Sequence, residues 1–152
     1  MRKRVYGRKL SRGGGARKAL FRGLISAIVA NGKIKTTKAK AKAIQGQIDR
    51  LINISKKDTV STRRKVLALL GNDRETSQKI FEYISKAFPN RKSGYTRLIP
   101  LPVRRGDAAE MVRMEWVKEI EISKQPKSKK EKEKIEKSTK SKKLRSKIFR
   151  KK

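Results

Sequence analysis

The segment MVRMEWVKEIEI, residues 111–122, indicates the fold class, because its side chains alternate in character with a period of two. Val112, Met114 and Trp116 face one way, the charged side chains face mainly the other way, and Lys118 alone interrupts the apolar side. This pattern predicts an antiparallel strand with one buried and one solvated face. A sheet with one apolar face needs a covering layer, which the rest of the chain must supply.

Two further strands are predicted. Residues 95–103 form a strand candidate, and Pro100 and Pro102 confine its second half to a sheet edge, because proline has no N–H to donate. Residues 104–107, Arg-Arg-Gly-Asp, begin a turn towards residue 111. The segment of residues 33–36 is short and ends in a β-branched residue, which is typical of a strand.

Between these strands the apolar spacing changes to the helical period in four places. Capping residues and helix breakers indicate where each helix begins and ends. The first helix begins at Ala16 and ends at Asn31-Gly32, and the second begins at Thr36 or Thr37. The third begins at Asp58 and ends at Gly71, and the fourth begins within residues 72–75 and ends before Pro89. The order is helix, strand, three helices, two strands. It predicts a two-layer α+β domain over residues 16–122, with helices covering a small sheet.

Both flanks of this domain are basic and lack an apolar period. Residues 1–15 combine cations with a glycine triplet and predict an extended arm that is disordered alone. Residues 123–152 form a Lys-rich, low-complexity tail that cannot bury enough apolar surface to fold by itself. The tail has 15 Lys and Arg against three Glu, a charge that suits a phosphate backbone, so we expect it to add a nonspecific RNA contact or to reach a neighbouring protein.

The charge distribution indicates a polyanionic partner. The chain carries 45 Lys and Arg against 13 Asp and Glu, a net charge of +32, and its first acidic residue is Asp49. A surface of one sign repels itself unless a polyanion neutralises it, and nucleic acid does so with release of counterions. The cationic candidates for phosphate contact are Arg2, Lys3, Arg4, Arg8, Lys9, Arg12, Arg17, Lys18, Arg22, Lys35, Lys38, Lys40, Lys42, Arg63, Arg64, Arg91, Lys92, Arg97, Arg104 and Arg105.

Three uncharged side chains join these candidates. Thr36 and Thr37 stand at a strand-to-helix junction between Lys35 and Lys38, which predicts either a phosphate cradle or an ordinary threonine-capped helix start. Tyr95 lies among cations after a glycine, so it either stacks on a base or ribose or packs half-buried at the start of a strand.

Several classes of function are excluded by composition. The chain has no histidine and no cysteine, and its carboxylates are scattered, so we expect no enzyme, metal site, cofactor or small-molecule substrate. It has no apolar run of about 18 residues, which a membrane span needs. No signal peptide is evident, so a cytoplasmic location is expected.

Ordered segments across the domain carry a family resemblance. They are Met1-Arg2, Gly7-Arg8-x-Leu10-x-Arg12, Arg17-x-Ala19-x-Phe21-Arg22, Ile34-Lys35-Thr36-Thr37, Lys40-Ala41-Lys42, Leu51-Ile52, Gly94-Tyr95-Thr96-Arg97 and Arg105-Gly106-Asp107-x-Ala109-x-Met111 with Glu115. Over residues 1–122 the chain resembles the bacterial-type large-subunit ribosomal protein family numbered seventeen.

The resemblance implies a structural constituent of the large ribosomal subunit that binds ribosomal RNA near the exit of the nascent-chain tunnel. It also implies neighbouring large-subunit proteins as partners, including the zinc-ribbon-like protein numbered thirty-two. The alternative is a nucleoid-associated, histone-like DNA-binding protein, because a small domain with a Lys-rich tail suits that function too. Predicted helix-turn-helix spacing and dimer-forming heptads are missing from the sequence, which favours RNA.

Overall fold

The computed structural model describes residues 7–120, and within them the predicted α+β class and element order are confirmed. The helices are α1 (Gly14–Asn31), α2 (Lys38–Ser55), α3 (Val60–Leu70) and α4 (Arg74–Lys79). Helix α4 runs on through a π-helical turn, Ile80–Ile84, into a last turn, Ser85–Ala87. The strands are β1 (Lys33–Thr37), β2 (Thr96–Leu101) and β3 (Met111–Trp116).

The sheet is antiparallel, and β3 lies between the other two strands. Ile34 and Leu98 pair with Met114 from opposite sides, so apolar side chains of all three strands share one face. The predicted edge position of β2 is confirmed, and it explains how Pro100 is tolerated. The other face carries Lys33, Lys35, Arg97, Arg113 and Glu115.

The core lies between the apolar sheet face and the helices. Its largest fully buried side chains include Phe88 and Tyr95, whose rings meet edge to face with centroids 5.3 Å apart. Helix α2 contributes most to it, through Ala41, Ile44, Ile48, Leu51 and Ile52. The helix thereby holds its basic first turns against the sheet.

Helix ends follow the predicted glycines. Gly32 and Gly71 have φ of 72° and 73°, the left-handed conformation that glycine adopts without steric cost, and their N–H groups bond back to the preceding helical turns. At Gly71 a Cβ atom would also lie 2.6 Å from Nη1 of Arg22. The predicted cap between residues 72 and 75 is confirmed as Asp73, whose carboxylate accepts from the Thr76 N–H at 3.1 Å.

Three local predictions were wrong. Strand β3 ends at Trp116 within the described residues. Val117 N–H still donates to Tyr95 O, but the Tyr95 N–H goes to Asp49 instead of continuing the ladder, and Lys118 reaches Ala87 O. Asp58 does not cap α3; Thr59 and Thr62 form a capping box instead. The hydroxyl of Thr37 makes no cap hydrogen bond at the start of α2.

Candidate nucleic-acid interface

The acid-free part of the chain presents cations without acidic partners. Within residues 7–48, only Lys38 forms an ion pair among the described residues, and its partner Glu110 comes from the β2–β3 connection. The predicted contact residues that lack an ion pair there are Arg8, Lys9, Arg12, Arg17, Lys18, Arg22, Lys35, Lys40 and Lys42. These charges remain available to an external polyanion.

The start of α2 gathers two of these cations and the paired Lys38 around one concavity of about 480 Å³. Arg8 from the arm, Lys38 and Lys42 line it together with Thr37. No side chain caps the helix. The Lys38 N–H donates to Glu110 O at 2.9 Å, so only the N–H groups that follow it are open to an anion, and Glu110 lies at the edge of the concavity. The hydrogen bond from Lys38 holds the pKa of Glu110 below its usual range.

Thr36 does not belong to this concavity. Its side chain points to the inner sheet face opposite Val112, and the residue is only 7% exposed. The predicted cradle therefore loses one of its two hydroxyls, because strand alternation turns neighbouring residues to opposite faces. Thr37, one residue further, lies on the solvated side.

Tyr95 is a core residue, which corrects the stacking hypothesis. Its ring is fully buried, and its hydroxyl donates to Arg91 O at 2.6 Å beside Asn53. The preceding loop is held on α2: Asn53 Nδ2 donates to Lys92 O at 2.8 Å, and Asp49 accepts from the N–H groups of Gly94 and Tyr95. The loop thus presents the exposed side chains of Arg91 and Lys92 from a fixed backbone.

Several other predicted arginines are engaged within the protein. Arg63 binds both carboxylate oxygens of Asp58 at 2.6 and 2.8 Å. Arg104 binds Asp107 and lowers the pKa of that carboxyl to about 2. Arg22 donates to Leu69 O at 3.1 Å. These contacts occupy guanidinium N–H groups that would otherwise be free to donate to a phosphate.

The open sheet face adds two cations that the sequence reasoning missed, Lys33 and Arg113, to the predicted Lys35 and Arg97. Arg97 and Arg113 flank Glu115, with Nε–Oε distances of 2.6 and 2.9 Å, and Lys33 and Lys35 lie in the same rows. The hydrogen bond from Arg97 is the main cause that lowers the pKa of Glu115. The period-two alternation around Val112 and Met114 was the signal that places Arg113 on this face.

The remaining candidates divide into two groups. Arg64 and Arg105 are exposed and form no ion pair among the described residues. Arg2, Lys3 and Arg4, the first residues of the arm and the whole tail from residue 123 lie outside the part of the chain that the structure describes. Their roles, like the domain boundaries at residues 15 and 123, stay predictions.

Comparison with known proteins identifies the family. The family model described as ribosomal protein L17 matches residues 20–117. "Large ribosomal subunit protein bL17" of Chloroflexus aurantiacus is 42% identical over 117 residues, which cover 77% of this chain and all of that protein. The proteins of the same name from Rubrobacter xylanophilus and Campylobacter lari are 40% and 44% identical, again over 77% of this chain and over 96% and 99% of their own lengths. The chain belongs to the ribosomal protein L17 family.

Proposed function

We propose that this protein binds large-subunit ribosomal RNA by neutralising phosphates with the unpaired cations of its N-terminal half. Membership of the L17 family makes it a structural constituent of the large ribosomal subunit, working in the cytoplasm, and not an enzyme. No helix within residues 7–120 is long and apolar enough to cross a membrane.

The observation that supports RNA contact most strongly is the separation of charge within the fold. Apart from Lys38, the cations of α1, β1 and the first turns of α2 have no carboxylate partner among the described residues, whereas the acidic side chains of the sequence lie from Asp49 onwards. Each Lys or Arg that neutralises a phosphate releases condensed counterions, so the free energy of binding grows with the number of such contacts. Cations already paired with a carboxylate gain less from the same contact.

The apolar core supports recognition by shape. Buried residues of α2 fix that helix on the sheet, so Lys40 and Lys42 keep a constant distance from Lys35 on β1. Cations at fixed positions select RNA whose phosphates match their spacing. The A-form geometry and the 2′-hydroxyl groups of RNA distinguish it from DNA at such a surface. Base edges are expected to contribute less.

The finer location is also a proposal. Its basis is the family resemblance, which implies the tunnel exit and the zinc-ribbon-like protein numbered thirty-two as a neighbour. A stalled nascent chain that carries a photo-crosslinker just beyond the tunnel would be expected to reach this protein. Crosslinks that reach other large-subunit proteins but never this one would contradict the location without affecting RNA binding.

Sucrose-gradient sedimentation of a native lysate, washed at about 0.5 M salt, tests the proposed function. Such salt removes contacts that depend on counterion release alone, so a protein fixed by shape and core geometry stays with the large subunit. Retention in that peak is expected. Release to the top of the gradient, or sedimentation with nucleoid DNA, would contradict RNA binding in the subunit and favour the histone-like alternative.

A further inference from the structure

An apolar groove lies between α1, α2 and the end of α3, away from the concavity at the start of α2. Phe21, Ile25, Leu51 and Leu69 provide its apolar surface, and its volume is about 320 Å³. This size is at the lower end of the roughly 300–1,000 Å³ of clefts that hold small ligands. Leu69 is 46% exposed, so the groove is not closed by the protein's own core.

The charged residues of the groove are all cationic. Lys18, Arg22 and Arg50 line it, and no acidic residue does. Lys18 and Arg50 form no ion pair among the described residues. An occupant that contacts both the apolar surface and the cations of the groove needs an apolar body with a negative charge close to it.

Two polar groups are fixed beside the apolar surface. Arg22 donates to Leu69 O and Ala68 O, which holds its planar guanidinium across the end of α3 and leaves other N–H groups free. Gly71 permits this approach, because a Cβ there would lie 2.8 Å from Cζ of Arg22. Gln47 adds an amide that can both donate and accept.

We propose that this groove holds one unstacked base of the ribosomal RNA, with the adjoining phosphates on Lys18 and Arg50. A base offers a flat apolar face for Phe21 and polar edges for Gln47, and single-stranded RNA is recognised in this way. The inference rests on the proposed function, since it names the part of the RNA that one surface binds. An acidic peptide with an apolar side chain is the competing occupant.

Filling the groove tests this assignment without altering the net charge. Leu69→Trp places a large ring in it, and Val60→Trp is the matched control, because Val60 is also exposed, lies on α3 and is not part of the groove. We expect Leu69→Trp to weaken binding to large-subunit RNA about tenfold relative to the control, the scale of one stacked base. If Leu69→Trp and Val60→Trp both melt at the wild-type temperature and bind the RNA with equal affinity, the proposal is overturned.

Photo-crosslinking in assembled subunits separates the occupants. A leucine-sized diazirine amino acid at position 69, which leaves the groove open, is expected to react with RNA, and the same group at position 60 gives the background. An adduct to a neighbouring protein, or none above background, would overturn the base assignment. Failure of the proposed function is distinguishable, because the wild-type protein itself would then leave the large-subunit peak in the salt-washed gradient.

Discussion

Residues 7–48 and residues 49–120 are both basic, but they use their cations differently. In the first region, one described cation, Lys38, has an acidic partner, and that partner comes from the second region. In the second region Arg63, Lys79, Arg97, Arg104 and Arg113 all bind carboxylates. The difference leads us to expect that cations without internal partners, more than net charge, define the RNA surface.

The largest expected effect comes from removing free cations. Replacing Lys35, Lys40 and Lys42 with Gln should lower affinity for large-subunit RNA on the order of 100-fold at 0.1 M salt, with a fall of about 2–3 in the log–log salt slope. Filter binding over a salt series measures both. The matched control replaces Arg63, Lys79 and Arg104 with Gln, which removes the same charge from paired sites and should change affinity far less. A similar loss of RNA affinity in both triple variants would contradict the difference drawn between unpaired and paired cations.

The acidic side chains of the second region are expected to stabilise the fold. Asp73 caps α4 and accepts from Ser26 of α1 at 3.0 Å, so Asp73→Ala should lower the free energy of unfolding by about 1–2 kcal/mol at pH 7. RNA affinity, measured at a temperature where the variant is folded, should stay unchanged. A variant as stable as the wild type would contradict this role.

The same residue predicts a pH dependence. Burial raises the pKa of Asp73, but hydrogen bonds from Thr76 and Ser26 outweigh it, so the net pKa is lowered in the folded state. A lowered folded pKa contributes stability that is present above the unfolded value and is lost as pH falls below it. Urea denaturation should therefore show the difference between wild type and Asp73→Ala shrinking below about pH 4. A difference that persists unchanged at pH 2 would exclude the charge as its cause.

A smaller effect is expected at the loop before β2, which carries cations of the second region that bind no carboxylate within residues 7–120. Lys92 is exposed and has no ion pair among the described residues, while Asn53 fixes its backbone. Lys92→Gln should reduce RNA affinity about fivefold at 0.1 M salt, as for one lost phosphate contact. Lys79→Gln, which removes a cation paired with Glu75, is the control. No difference between the two variants would remove this loop from the RNA surface.

The smallest expected effect concerns the open sheet face. Glu115→Gln removes the carboxylate between Arg97 and Arg113 and leaves both arginines without an acidic partner. RNA affinity should rise by less than about fivefold, since at most one phosphate contact is gained. The same filter-binding series detects this change. A fall in affinity, with unchanged thermal stability, would mean that Glu115 positions the two arginines for RNA.

The sequence predicted most of the fold because its signals are local. Glycines at residues 32 and 71 and the alternation around Met114 each report the conformation of a few neighbouring residues. Partner choice is not local: Arg97 meets Glu115 only through the β2–β3 register, and Arg22 reaches carbonyls more than forty residues away. The sequence therefore predicted a basic surface but not which of its cations the fold engages, and it left open whether Tyr95 stacks on RNA or packs in the protein.

Directed hydroxyl-radical probing tests the central claim most directly, and the lack of cysteine in the chain allows single tethering sites. Ala39→Cys places an iron chelate beside Arg8 and Lys42, and Gln78→Cys places one on α4, with every Lys and Arg retained. In reconstituted large subunits we predict strong cleavage of ribosomal RNA from position 39 and weak cleavage from position 78. Equal cleavage from both, or stronger cleavage from position 78, would contradict the assignment of the RNA surface to the N-terminal half.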